Sequence, residues 1–268
     1  MKIIQIPTDV THIISTTSRG DQSKWRVGDK WVKQNARGYE SQAEVLASFV
    51  LSCTTLSPEM YVTYHSCLIE LPDEELSMGC YSPDFRGKLQ EVSLERLFEA
   101  NFTSTDLILG NKSLSTQDKF EQVMAHIEQF TGLDVGLDIA RLLAFDALIL
   151  NEDRHTNNIL FLYDPTKKSW QLAPIFDNAL SLLSDQKDYP PGKPLTILKR
   201  KVKAKPFNSS FIKQLALYQG PAFINKQALK AKLDTDTSEF GRAKEVLLSQ
   251  LRDPAFNHLF MEGEEIRD

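Results

Sequence analysis

The chain has 268 residues, 41% of them hydrophobic and 25% charged, with a net charge of −5 and a pI near 5.6. That balance suits one globular unit or two lobes sharing a cleft, and an acidic surface disfavours nucleic acid or an anionic membrane as a bulk partner. Cys53, Cys67 and Cys80 form neither a full disulfide set nor a metal-ligand spacing, no apolar run reaches membrane-spanning length, and the apolar start Met1–Pro7 is too short for a secretory signal, so reduced thiols and a cytosolic location are expected.

In chain order, Ile3–Ile6, His12–Thr16, Ser23–Val27 and Lys30–Gln34 read as short strands, with a tight hairpin at Val27-Gly28-Asp29-Lys30-Trp31. A helix follows from Tyr39 to about Ser52, its apolar positions Val45, Leu46, Phe49 and Val50 recurring at helical spacing. Met60–Tyr64 and Ser66–Leu71 read as two more strands, and a hinge is expected near Gly79-Cys80-Tyr81. Beyond Ser82 the pattern turns helical: Ser93–Ala100 with Ser93 as its cap, Ser115–Phe130 ending before Thr131-Gly132, and Asp134–Leu150 with a strongly apolar face. Strands Ile159–Tyr163 and Trp170–Ile175 come next, joined by Asp164-Pro165-Thr166. Helices Asn208–Leu217, Lys226–Lys232 and Ser238–Leu251 close the chain, and a basic run extends from Lys193 to Lys205. The expectation is a two-lobed, protein-kinase-like α+β fold, with a β-rich N-lobe over residues 1–80 and a mainly helical C-lobe over residues 81–268.

Two stretches carry the chemistry. Asn151-Glu152-Asp153-Arg154-His155-Thr156-Asn157-Asn158 places an Asn five residues after an Asp, and Ala173-Pro174-Ile175-Phe176-Asp177-Asn178 brings a second Asp 19 residues after Asn158. Phosphoryl transfer from ATP needs that set: one carboxylate to orient a hydroxyl, then an amide oxygen and a second carboxylate to hold magnesium. Protein kinases write it as H-R-D-x-x-x-x-N followed by D-F-G; here Asn178 stands where the glycine would be. The bland alternative is a polar turn before a strand. By chemistry, Asp153 accepts the hydrogen bond of the attacking hydroxyl, and Asn158 and Asp177 bind magnesium. Arg154 is expected to pair with a carboxylate or a phosphorylated residue. His155 is expected to hold the loop by a local hydrogen bond, with proton transfer as the alternative. Asn151 either caps the preceding helix or braces the loop.

At the nucleotide end, Gly20-Asp21-Gln22-Ser23-Lys24 lies between two expected strands, where backbone N–H groups can meet phosphates. One glycine is a weak signal, and an ordinary turn is its competitor. Lys33 is the candidate ATP lysine, with Lys24 and Lys30 as rivals. Glu40 and Glu44 share a helix face, and Glu44 is preferred as the partner of Lys33 because it directly precedes the apolar stripe.

These residues resemble the HipA-like Ser/Thr kinase family, particularly its short members of the CtkA and HipT kind, over about Ser15 to Leu183. The resemblance implies that the N-x-D-R-H-x-x-N string carries the catalytic Asp153 and the metal-binding Asn158. It implies that Asp177 is the second metal ligand and that Gly20, Gln22, Ser23 and Lys24 form the phosphate loop. It further implies a bacterial, ATP- and magnesium-dependent kinase that phosphorylates itself on Thr16, Thr17, Ser18 or Ser23, with a protein Ser or Thr hydroxyl as acceptor. The D-R-H-x-x-N-I string also resembles phosphatidylinositol kinases, whose catalytic lobe is related. Full-length HipA toxins carry an extra N-terminal subdomain before the phosphate loop, whereas about fifteen residues precede it here. A separate small antitoxin-like partner is therefore expected to supply that function, or the kinase to act alone, without direct contact to nucleic acid or membrane. Delivery as a secreted effector stays open.

Two other functions compete. A lipid or small-molecule kinase would want a basic, apolar-tipped loop after Asp177, and Asp185-Gln186-Lys187-Asp188-Tyr189-Pro190-Pro191 is mixed in charge. A pseudokinase binding module would bind ATP without turning it over, although all three polar positions are present.

Overall fold

A β-strand sends alternate side chains to opposite faces, and that period organises the first sheet. In the computed structural model, which describes residues 1–8, 12–14, 22–72, 76–235 and 240–262, six strands form it: β1 (Lys2–Gln5), β2 (His12–Ile14), β3 (Ser23–Val27), β4 (Lys30–Gln34), β5 (His65–Glu70) and β6 (Ser77–Pro83). Their spatial order is β1-β5-β6-β4-β3-β2; β1 runs parallel to β5 and the other pairs are antiparallel. One face buries Ile4, Ile6, Trp25, Val32, Cys67 and Ile69 as a small apolar cluster. Lys33, one residue after Val32, therefore points to the other face, where helix α1 (Glu40–Leu51) packs. Gly79 lies across from Gln34 in β4, and a Cβ there would stand 2.5 Å from the Lys33 carbonyl oxygen, so the strands close to this distance only with glycine.

The rest of the chain supplies β7 (Gln90–Ser93), α2 (Leu94–Ala100), α3 (Asp106–Leu109), α4 (Thr116–Thr131), α5 (Gly136–Ile149), β8 (Leu160–Asp164), β9 (Ser169–Leu172), α6 (Leu195–Lys199), α7 (Phe211–Leu215), α8 (Lys226–Thr235) and α9 (Gly241–Leu251). β7, β8 and β9 make a second, antiparallel sheet. The start of α4 is set by a reciprocal capping box between Ser115 and Asp118, and Gly132 ends it in the left-handed conformation. α5 is the centre of the main core: Ile139, Leu143, Phe145, Leu148 and Ile149 are all buried among residues of α1, α2, α4, α7 and α9. All three cysteines are free and buried, and burial pushes the Cys67 thiol up to about 11. Among the described residues no helix is long and apolar enough to cross a membrane.

Three expectations change. Met60–Tyr64 is not a strand of the first sheet. Pro58–Met60 is a 3-10 turn, and the backbone after it pairs with the other lobe instead: Ile175 N donates to Met60 O (2.8 Å) and Val62 N to Ile175 O (2.9 Å). The strand expected over Trp170–Ile175 stops at Leu172, because Pro174 cannot donate to a ladder and the chain crosses to Tyr61. Gly79-Cys80-Tyr81 is no hinge but the middle of β6, so the sheet continues through Pro83. The division drawn after residue 80 thus falls inside that strand.

Candidate functional site

The site forms where the first sheet, α1 and the two loops around β8 and β9 meet. Lys24 on β3 and Lys33 on β4 are direct cross-strand partners, so both ammonium groups rise on the same face. Like charges placed so repel unless an anion lies between them. Asp177 is that anion: its Oδ1 accepts from Lys33 Nζ at 2.7 Å and its Oδ2 from Lys24 Nζ at 3.2 Å. Burial acts to raise the Asp177 carboxyl, but the two lysines overcome it and hold the group far below the usual carboxylate range. Asp177 has a left-handed backbone, φ 54°, and its N–H donates to the Tyr64 hydroxyl at 3.2 Å. Such a conformation at a non-glycine residue persists only where the surroundings fix it.

Lys33 also pairs with Glu44 of α1. Burial opposes the charged ammonium, yet Asp177 and Glu44 together raise the Lys33 pKa well above its ordinary value. The other Glu44 oxygen accepts from the Asn178 N–H at 2.8 Å, so one glutamate positions both the lysine and the loop after Asp177. Glu40, the rival, is spent elsewhere: its oxygens accept from the backbone N–H groups of Arg37 (2.6 Å) and Gly38 (3.0 Å). Lys30 also lies outside the site, with its ammonium 2.9 Å from Asp29 at an exposed turn. Ser23 opens β3, and Gln22 is buried with its Nε2 unpartnered among the described residues. Gly20, Thr16, Thr17 and Ser18 lie outside the described residues.

The loop after α5 is held by side-chain amides together with its own backbone. Leu150 ends the helix in the left-handed conformation, and Asn151 then braces the turn: its Nδ2 donates to Asp146 Oδ1 (2.9 Å), and its Oδ1 accepts from the Asp153 N–H (3.0 Å). The Asp153 carbonyl accepts from the His155 N–H (2.8 Å) and from Asn158 Nδ2 (2.9 Å). With its amide nitrogen committed, Asn158 has its oxygen left to offer a ligand. An amide oxygen and a carboxylate are the hard donors that magnesium takes, so Asn158 and Asp177 fit that ion. Among the described residues no cluster of three or more His, Cys, Asp or Glu is built to hold a metal.

Arg154 takes one of its two expected partners, whereas His155 does not make the hydrogen bond expected of it. Arg154 is fully buried, and its guanidinium bonds Asp146, Asn178 Oδ1 and the carbonyls of Asn158 and Phe176. It pairs with a carboxylate, as one of its two expected readings had it, but that carboxylate lies in α5. Enclosed in this way, it ties the loop after α5 to the residues on either side of Asp177. His155 makes no ring hydrogen bond among the described residues; Nε2 lies 3.7 Å from Asp153 Oδ2. The loop needs no imidazole bond, since the His155 main chain supplies the closure. Burial lowers the His155 pKa, with Asp153 opposing and Lys205 reinforcing that effect.

Sequence reasoning missed Lys205, whose Nζ is 3.2 Å from Asp153 Oδ1. Its only signal was the basic run that ends on it. It also missed Asp146, a lone carboxylate on the apolar face of α5, and Gln214, which fixes the Lys205 segment. Gln214 is fully buried; its Nε2 donates to the Lys205 carbonyl (2.9 Å), and its Oε1 accepts from Phe207 N (2.8 Å) and Asn208 N (3.3 Å).

The family model of the HipA-like C-terminal domain matches residues 98–240, just over half of the chain. The crystal structure of the Helicobacter pylori proinflammatory kinase CtkA is similar to this fold with a TM-score of 0.57 and 16% sequence identity, covering 92% of this chain and 93% of that one. The kinase domain of maize sucrose-induced receptor kinase 1, bound to AMP-PNP, aligns over 91% of this chain and 93% of its own, at a TM-score of 0.32 and 14% identity. No curated protein matches the sequence. The fold is the two-lobed, kinase-like α+β arrangement.

Proposed function

The chain belongs to the family of the HipA-like C-terminal domain, and on that premise we propose that it is a kinase transferring the γ-phosphoryl group of ATP to a Ser or Thr hydroxyl of a protein. One observation carries the reading: Lys33 bridges Glu44 and Asp177 while Asp153 and Asn158 stand on the adjoining loop. That constellation is what phosphoryl transfer asks of a protein, which forms no bond itself and works by positioning and charge neutralisation.

Each group has a task. Lys24 and Lys33 meet the phosphates of the nucleotide, and in doing so they release the Asp177 oxygens they now occupy. Glu44 keeps Lys33 aimed into the cleft. Asp177 and Asn158 would hold magnesium, which when bound neutralises the phosphate oxygens. Asp153 accepts the hydrogen bond of the acceptor hydroxyl and takes its proton late. Lys205 neutralises Asp153 until the acceptor arrives. Arg154 keeps the two loops in register.

The test is incubation with γ-labelled ATP, magnesium and a bacterial lysate, followed by phosphoamino-acid analysis. Label on Ser or Thr of protein, absent with Asp153→Asn, is expected. Label confined to lipid or a small molecule, or nucleotide bound with no transfer to anything, overturns the proposal.

A further inference from the structure

Of the basic run, the transfer chemistry uses only Lys205. Residues 190–213 hold seven of the chain's 31 Lys and Arg and none of its 36 Asp and Glu, which leaves 24 cations against 36 anions, a net −12, elsewhere. The segment covers α6, the turn that delivers Lys205, and the start of α7. A groove of about 580 Å³ opens along it, lined by Thr196, Lys199, Arg200, Lys203, Ile212 and Asp253. Its floor includes Leu150, three residues before Asp153. Asp253 is the acid here, and its Oδ1 is already used to accept from Ala255 N at 3.0 Å. Lys199 donates to Ser249 Oγ at 3.1 Å. Arg200, Lys201 and Lys203 are exposed, and among the described residues none of them makes an ion pair.

We propose that this segment is the acceptor-docking surface, and that it takes an acidic stretch of the protein substrate next to the hydroxyl that is phosphorylated. The identity of the occupant rests on the transfer reading above. Two features favour a protein over a polynucleotide. Ile197 and Ile212 are about half exposed beside the cations, which suits apolar side chains of a peptide. The aromatic residues of the segment, Phe207 and Phe211, are buried, so no ring is offered for base stacking. Lys205 gives the surface a chemical link to the site. Its ammonium rests on Asp153. When the acceptor hydroxyl takes over that oxygen, Lys205 needs a new anion, and a carboxylate beside the accepting residue provides it. Substrates with such a carboxylate are then favoured at the step where the hydroxyl is seated.

The experiment compares a fluorescent Ser peptide flanked by Glu with its Gln counterpart, by anisotropy, on wild type and on the triple variant Arg200→Glu/Lys201→Glu/Lys203→Glu. All three positions are exposed, so the fold is spared. The acidic peptide is expected to bind wild type on the order of tenfold more tightly at low salt, the advantage fading as salt screens it and vanishing in the variant. Mg-ATP affinity and phosphorylation of the Gln peptide should be unchanged in the variant. Equal binding of the two peptides to wild type overturns the proposal. So does a single-stranded oligonucleotide of the same charge and length that binds more tightly than the acidic peptide. Binding is read without turnover, so acidic preference in the absence of phosphorylation would support the docking surface while removing the kinase reading.

Discussion

Arg154 and Asp146 form a bidentate pair inside the protein, Nε to Oδ2 at 2.9 Å and Nη2 to Oδ1 at 3.2 Å, with both side chains 1% exposed. The pair ties α5 to the loop that carries Asp153, and the remaining guanidinium donors reach Phe176 and Asn178 on either side of Asp177. Both acidic loops of the site are thus hung on one cation. Asp146→Ala leaves that cation buried without its charge partner, and a loss of about 3–5 kcal/mol is expected. Arg154→Lys keeps the charge but cannot serve four separate groups, so it should also destabilise, by a smaller amount. Urea unfolding measures both. A midpoint unchanged from wild type in Asp146→Ala would show that the pair holds nothing together.

Asp153 is held differently, and the contrast is testable. Its backbone fixes the loop, while among the described residues its carboxylate touches only Lys205 and, more distantly, His155. Asp153→Asn should therefore keep the wild-type melting temperature and nucleotide affinity. Phosphoryl transfer should fall by about 10²- to 10⁴-fold, the range for removing a positioned base. Transfer at the wild-type rate in Asp153→Asn would take the residue out of the reaction.

What the sequence disclosed divides by range. Spacings within one element or one loop were legible: Lys33 after Val32 on a strand, Glu44 rather than Glu40 on α1, and Asn158 five residues past Asp153. The fold class followed from a strand-rich first third and an apolar helix before the loop that carries Asp153. Pairings between distant segments were not legible. Nothing local shows that the backbone after Met60 bonds Ile175 rather than a sheet neighbour, or that Gln90–Ser93 pads the edge of β8. Side-chain partners stayed open where burial decides them. Which of its two expected partners Arg154 takes shows only in its enclosure against Asp146, and His155 reads as a hydrogen bonder until its ring is found unpartnered among the described residues. Lys205 lies 52 residues from Asp153, beyond any motif.

Asp177 is expected to show two separable effects. Asp177→Asn removes a charged oxygen donor, so the affinity for ATP in the presence of magnesium should fall at least about tenfold. Without nucleotide, the same change leaves Lys24 and Lys33 facing each other in register with only Glu44 to balance them. The free variant should therefore melt lower than wild type, and added salt should recover part of the difference, since screening weakens the repulsion. Calorimetric titration checks the first effect and thermal melts in low and high salt the second. Unchanged Mg-ATP affinity would remove Asp177 from the metal site, whatever the melts show.

Gln214 offers the sharpest separation of structure from chemistry. It lies on α7, outside the cleft, and its amide closes three bonds onto the backbone of residues 205, 207 and 208. The segment so fixed presents Lys205 to Asp153. Gln214→Leu keeps the bulk and removes all three bonds, leaving buried donors and an acceptor without partners at about 1–3 kcal/mol each where water cannot reach them. A stability loss alone would follow from any buried polar deletion. The positioning role predicts more. At a temperature where the variant is fully folded, Mg-ATP affinity should match wild type, because Lys24, Lys33 and Asp177 are untouched. kcat for the acceptor should fall, and the KM for an acidic acceptor should rise more than that for a neutral one, because the wandering group is a cation. Gln214→Glu tests the geometry: it retains the acceptor for Phe207 and Asn208 but loses the donor to the Lys205 carbonyl, so an intermediate effect on the acceptor KM is expected. If Gln214→Leu is destabilised yet shows the same kcat and the same acidic-to-neutral KM ratio as wild type, Gln214 only supports the fold, and Lys205 is placed by other contacts.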